Sequence, residues 1–143
     1  MKALSLLSFV LMVAGLLGLI ATQSLFSISP FVIGCQAVAV TLMLWARITF
    51  GRRSFHATAD PTAGGLVTSG PYRFLRHPIY TAVVLFVLAS VCAHPTLTAT
   101  GAALLVLLGA LTRMLIEERL LHARYPEYAA YAARTKRMLP YIF

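Results

Sequence analysis

The stretch GPYRFLRHPIY, residues 70–80, sets two arginines, a histidine, two tyrosines and two prolines at the mouth of an apolar run. Further along, LIEERLLHARYPEYAAY, residues 115–131, places Glu117 and Glu118 directly behind another apolar run. These residue types can move protons, face a cation with an aromatic ring or a carboxylate, and hold an anion with a guanidinium. Simpler readings stand beside the chemical one. Arginines and tyrosines at a bilayer edge often serve only as interfacial anchors. Arg113 and Glu117 are spaced i,i+4, as are Glu118 and His122, so both acids can be used up along one helix. Against that, two adjacent acids near anionic headgroups are unfavourable. They leave their helix in different directions, so one can pair with arginine while the other meets a cationic ligand. Tyr128 and Tyr131 share a face, which more often means packing than a binding box.

Between these stretches and the first half of the chain lies TAGGLVTSG, residues 62–70. It is not GxGxxG and no βαβ unit surrounds it, which excludes a Rossmann nucleotide site. Gly64, Gly65 and Gly70 either let backbone approach a ligand closely or make a flexible turn.

The elements that must position these groups are apolar helices. Of 143 residues, 59% are hydrophobic and 11% charged, with a net charge of +8. A soluble domain of this size cannot hide that much apolar surface, so the chain is expected in a membrane. The arginines flank apolar runs, which fits the cytoplasmic side of a membrane protein better than a nucleic-acid-binding face. Four segments stand out: Ala3–Ala21, Phe31–Ala46 (extending toward Phe50, with Pro30 suited to its start), Tyr80–Ala93 and Leu97–Ile116. The third is short for a hydrocarbon core of about 30 Å, so it begins at Pro78 or forms a tight hairpin with the fourth through His94-Pro95. The fourth should continue to about Arg124, and Pro126 should open another short helix. Cys35 and Cys92 read as small buried hydrophobes, with no spacing for a disulfide or a metal.

Positive charge sets the orientation. Arg47, Arg52, Arg53, Arg73 and Arg76 fill the second loop, and Arg113 to Arg137 the C-terminal part, whereas the other two loops carry no Lys or Arg. Both termini and the 47–78 loop are therefore expected in the cytoplasm, in a bacterial inner membrane. The expected fold is all-α, a single domain over 1–143. Four transmembrane helices carry a cytoplasmic cap made from the 47–78 loop and a C-terminal helical segment. The apolar spans hold almost no ionisable group, which argues against a channel or pump.

In order, GGLVTSGPYRFLRHPIY, an apolar hairpin and EERLLHARYPEYAAYAARTKRMLP resemble the isoprenylcysteine carboxyl methyltransferase family, part of a wider group that includes phospholipid methyltransferases. The likeness covers about residues 60–140 and is specific for the group, not for a substrate. It implies an S-adenosylmethionine-dependent methyltransferase whose cofactor lies at the cytoplasmic ends of the helices. Carried over, the Leu66–Val67 backbone, Tyr72, His77 and Tyr80 would line the cofactor pocket. Glu117 or Glu118 would help fix the cofactor or the acceptor, and Arg76 and Arg113 would orient an anionic substrate group. Assigned to single roles, Arg76, Arg113 and Glu117 are the catalytic candidates, with Glu118 joining the cofactor set and no metal ligand among them. Ala82 stands where many relatives have glycine. The chain also lacks the extra helices of eukaryotic members, so a prenylcysteine substrate does not follow.

Such a protein would act on a lipophilic or lipid-tailed acceptor, a carboxylate or an amine. Membrane lipids would surround it, and the four helices leave room for a second copy of the chain. Two alternatives stay open at this level: an NADPH-dependent membrane reductase with a related helical C-terminal region, and a non-enzymatic membrane scaffold.

Overall fold

A computed structural model describes residues 2–51 and 65–139. Arg52, Arg53, Asp60, Gly64 and Tyr141 lie outside the described residues. Among the described residues the chain is all-helical: α1 (Lys2–Ala21), α2 (Pro30–Phe50), a 3-10 turn (Gly70–Arg73), α3 (Pro78–Ala93), α4 (Leu97–Arg124) and α5 (Tyr128–Arg134). Three helices, α1, α2 and α4, are long and apolar enough to cross a membrane, and α3 is a shorter apolar helix. Its 16 residues span about 24 Å at 1.5 Å each, against about 30 Å of hydrocarbon. The 28 residues of α4 run to about 42 Å, so this helix has about two turns to spare. The surplus carries Glu117 and Glu118.

α1 packs along α4, α2 along α3, and α3 against α4. The seam between α1 and α4 is made by small residues. A Cβ on Gly15 would stand 2.5 Å from the Ala102 carbonyl oxygen, and one on Gly109 would stand 2.5 Å from that of Ser8. Each helix therefore offers a glycine to the other's backbone, the close approach by which apolar helices associate without a hydrophobic drive between them. Leu19, Val87, Ala103 and Val106 fill the centre of the bundle.

The end of the bundle away from the acids is tied by polar contacts. Gln36 Nε2 donates to the Leu25 carbonyl at 2.7 Å and to Ser90 Oγ at 3.1 Å, and Ser90 Oγ donates to the same carbonyl at 2.8 Å. Thr96 caps α4 by accepting the Ala99 N–H at 3.1 Å, which satisfies one of the donors a helix start leaves open.

At the other end two segments distant in sequence lie side by side. Leu75 and Lys136 form an isolated parallel bridge. Arg76 N–H donates to the Lys136 carbonyl at 2.7 Å, His77 N–H to that of Arg137 at 3.0 Å, and Lys136 N–H to that of Phe74 at 3.1 Å. Thr81 Oγ1 donates to the Met138 carbonyl at 2.9 Å. The chain leaving α5 is thereby fastened to the chain entering α3.

Three local expectations need adjustment. The last helix starts at Tyr128 rather than at Pro126, which lies in a turn with Glu127. Cys92 is exposed and Cys35 half-buried, both free; Cys35 lies at the edge of the packed face of α2, beside Val32, Gln36 and Ala39. Glu118 does not pair with His122, because arginines from elsewhere reach it first. His122 instead sets its ring edge-on to Tyr128 at 4.6 Å.

Candidate active site

His77 stands where the bridged segment meets α3. Pro78 occupies the first helical turn, where its missing N–H costs nothing. The residue before a proline is kept out of the helical region, and His77 has φ −127° and ψ 55°. This geometry turns the imidazole away from the helix axis into the bundle end, where it is 4% exposed.

Two adjacent carboxylates flank that ring. His77 Nδ1 lies 3.8 Å from Glu117 Oε2, and Nε2 lies 3.4 Å from Glu118 Oε1. Nε2 is nevertheless buried without a hydrogen bond; its approach to Glu118 is close but poorly aligned. An unsatisfied buried ring nitrogen is costly in a finished core and calls for an explanation.

The acids differ in what else they hold. Glu118 Oε1 accepts from Arg76 Nε at 2.9 Å, and Oε2 accepts from Arg137 Nε at 2.9 Å. Both oxygens are engaged and the side chain is 9% exposed. Glu117 Oε1 accepts from the Tyr80 hydroxyl at 2.5 Å, and that hydroxyl accepts from Arg113 Nε at 2.8 Å. Arg113 Nε itself lies 3.5 Å from Glu117 Oε1, the i,i+4 pair anticipated along α4, and the Glu117 side chain keeps 27% of its surface exposed. Of the two acids, Glu117 is thus the one with surface still open to a ligand.

Arg76 has a further task. Its Nη1 donates to the Ala132 and Thr135 carbonyls, so its guanidinium joins α4 to the end of α5. Arg113 is buried and also stacks over Phe9 of α1 at 5.5 Å.

The tyrosines surround this cluster. Tyr131 donates its hydroxyl to the Tyr72 carbonyl at 2.7 Å, and Tyr72 packs its ring against Phe50 at 5.5 Å. Burial pushes the Tyr72 phenol well above its ordinary value, helped by the charge of Glu117 and opposed by Arg47. Burial pushes the Tyr131 phenol up to about 12, opposed by Arg76. Burial likewise raises Tyr128, whose hydroxyl lacks a hydrogen-bond partner. The three phenols therefore stay neutral and act as donors and aromatic faces, not as bases. Leu66 and Val67 are half-buried in the irregular segment that leads to the 3-10 turn. That segment is pinned at Gly70, whose φ is +56° and whose missing side chain leaves room for Thr49 of α2.

His77, Tyr80, Arg113, Glu117 and Glu118 are therefore brought into one linked cluster, with Arg76 holding its outer side. Tyr72 closes a neighbouring face. Arg137 and Tyr131 belong to the same construction; residue order assigns Arg137 no role and weighs Tyr131 as packing. Arg137 sits in a run of basic residues with no spacing that marks it, and Tyr131 reads as packing until its bond to the Tyr72 carbonyl is seen. Among the described residues no group of His, Cys, Asp and Glu could hold a metal ion.

A family model described as phospholipid methyltransferase matches residues 26–128. Over 78 residues the chain is 40% identical to the cobalt-zinc-cadmium resistance protein CzcN of Cupriavidus metallidurans, a stretch covering 52% of this chain and 35% of that protein. The chain thus spans about a third of the curated relative it matches. No solved structure matches it.

Proposed function

Because the chain belongs to the phospholipid methyltransferase family, within the isoprenylcysteine carboxyl methyltransferase-like group, we propose that it is an integral membrane enzyme. It transfers a methyl group from S-adenosylmethionine to a lipophilic or lipid-tailed acceptor. The observation that carries this reading is the cluster itself. A buried histidine with an unsatisfied nitrogen lies between two carboxylates, one of them still open, at the ends of apolar helices.

The residues present suit the cofactor. S-adenosylmethionine combines a sulfonium, an ammonium and a carboxylate. Its ammonium needs an acid with free surface, which Glu117 offers. Its sulfonium is favoured near aromatic rings, and the buried Tyr72 and Tyr80 would border it. His77 Nε2 is a buried polar atom whose only described neighbour of opposite charge is Glu118 Oε1 at 3.4 Å, without an aligned hydrogen bond. The Leu66–Val67 backbone would border the pocket. When bound, the cofactor supplies an electrophilic methyl group; the chain supplies position and exclusion of water.

Each protein group then has a distinct task. Glu118, held by Arg76 and Arg137, keeps the α3 entrance, α4 and the C-terminal segment together and faces His77 toward the site. Tyr80 fixes Glu117 and Arg113 relative to one another. Arg113 supplies positive charge that would aim an anionic acceptor. A carboxylate acceptor is already ionised and needs no base. An amine acceptor must lose a proton, which His77 or Glu117 would take.

The topology that suits this chemistry has α1, α2, the α3–α4 hairpin and the rest of α4 in the bilayer. Both termini and the cluster lie on the cytoplasmic side, as the arginine-rich loops favour. A lipid-tailed acceptor can then enter sideways while the cofactor enters from water. Calorimetric titration of S-adenosylmethionine into detergent-purified protein tests the reading. Saturable binding weakened at least tenfold by Glu117→Gln is expected; no binding by protein that retains its helical circular dichroism would refute it.

A further inference from the structure

A cavity of about 880 Å³ lies against the face of α3 that carries Thr81, Val84, Leu85 and Leu88. Leu85, Leu88, Leu107 and Leu111 make its apolar wall, and Leu88 and Leu111 are exposed, so this wall opens at the surface of the bundle. Arg73, Arg134 and Lys136 line it as well, and all three are exposed. Neither His77, Tyr80, Arg113, Glu117 nor Glu118 contributes to the lining. Val84 and Met138, which line it, also pack against Tyr80, Ala110 and Met114, so the cavity adjoins the cluster without including its polar residues. The Leu75–Lys136 bridge and the Thr81–Met138 bond form the seam beside the cavity.

Charge and apolarity are separated along this cavity. The cations come from the 3-10 turn and the C-terminal segment, at the end where α3 begins. Leu88 lies ten residues into α3, about 15 Å deeper. Among the described residues no acidic side chain lines the cavity, and none of its three cations is ion-paired with a described acid. The volume is within the range of about 300–1,000 Å³ usual for small-molecule sites. A cationic mouth over an apolar slot of this length complements one class of molecule, an amphiphile with an anionic head and a hydrocarbon tail.

We infer that this cavity is an accessory binding site for one anionic phospholipid, its phosphate among Arg73, Arg134 and Lys136 and its tail between α2, α3 and α4. None of the five cluster residues lines the cavity and the test below reads lipid retention, not methyl transfer, so the assignment stands whether or not that reading holds. The bound lipid covers the outer side of the seam that joins residues 74–77 to 135–138.

Native mass spectrometry of the full chain tests this, with phosphatidylglycerol, phosphatidylcholine and diacylglycerol of identical chains supplied in equal amounts. The expected result is one phosphatidylglycerol retained per chain, at least tenfold over the other two. The triple substitution Arg73→Gln, Arg134→Gln and Lys136→Gln touches exposed side chains and should abolish the preference while circular dichroism and melting stay unchanged. Leu85→Trp should evict the lipid of every class. sn-Glycerol 3-phosphate at the same concentration should fail to displace the phosphatidylglycerol. Equal retention of phosphatidylcholine, a preference that survives the triple substitution, or displacement by the free head group would each overturn the assignment.

Discussion

His77 Nε2 stands 3.4 Å from Glu118 Oε1, although 41 positions of chain and an entire apolar hairpin separate the two residues. The hairpin of α3 and α4 returns the chain to its own starting level. The entrance of α3 and the last turns of α4 must then meet, and the polar residues at both places meet with them. This closure turns two sequence motifs into one site.

Removing the charge of Glu118 should cost more stability than removing that of Glu117. Glu118→Gln leaves the nearly buried Arg76 facing a neutral amide, and breaking a buried pair typically costs about 3–5 kcal/mol; the more exposed Arg137 adds little, since solvent screens it. Glu117 is more exposed and its partner Arg113 also holds Tyr80. Thermal melts in detergent should show a clear drop for Glu118→Gln and a small one for Glu117→Gln. Ligand affinity should show the reverse order of sensitivity per degree lost.

Tyr80→Phe keeps the ring and deletes the hydroxyl that both donates to Glu117 and accepts from Arg113. An unsatisfied buried polar group costs about 1–3 kcal/mol. We expect a modest loss of stability together with a fall in kcat, because Arg113 and Glu117 lose their common reference. A variant that melts lower but turns over normally would assign Tyr80 a purely structural place.

The glycine seam predicts opposite outcomes for the same substitution. Gly15→Ala and Gly109→Ala drive a methyl group to within 2.5 Å of the facing backbone, and such overpacking costs about 1–3 kcal/mol. Gly34→Ala and Gly101→Ala meet nothing within 4 Å, and in a helix alanine is favoured over glycine by about 1 kcal/mol. Melting temperatures should fall for the first pair and hold or rise for the second.

The phenols set a limit at high pH. Tyr131 has its pKa raised to about 12 in the folded chain, above the ordinary tyrosine value of about 10. Between those values the folded state holds a proton that the unfolded state has released. Stability should therefore be unaffected by this group below about pH 10 and decline as pH climbs toward 12. Unfolding free energies across that window, compared with those of Tyr131→Phe, check the sign: the variant should show a shallower decline.

Much of the architecture was legible in residue order. Pro30 and Pro78 mark helix starts because proline suits a first turn, and both helices begin there. Arg113 and Glu117 pair as their i,i+4 spacing indicates. Other features depended on distance in space. Nothing in RTKRM says that Arg137 will reach Glu118 or that Lys136 will bridge to Leu75, because those contacts arise from the docking of a C-terminal segment onto a loop some 60 positions earlier. Local spacing offered His122 to Glu118, and Arg76 and Arg137 displaced it because a guanidinium makes the stronger charge-assisted bond. Cys92 looked buried because it is small and apolar. In the fold it occupies an outward helix face, where apolar character answers to surrounding lipid rather than to a protein core.

The most direct test of the account is mass spectrometry of membrane extracts incubated with methyl-labelled S-adenosylmethionine and the purified protein. One lipophilic species should gain the labelled methyl group in the presence of the protein, and His77→Gln should lower its rate of formation at least tenfold while the fold, read by circular dichroism, is kept. No labelled lipophilic product from folded protein across bacterial membrane extracts would contradict the account.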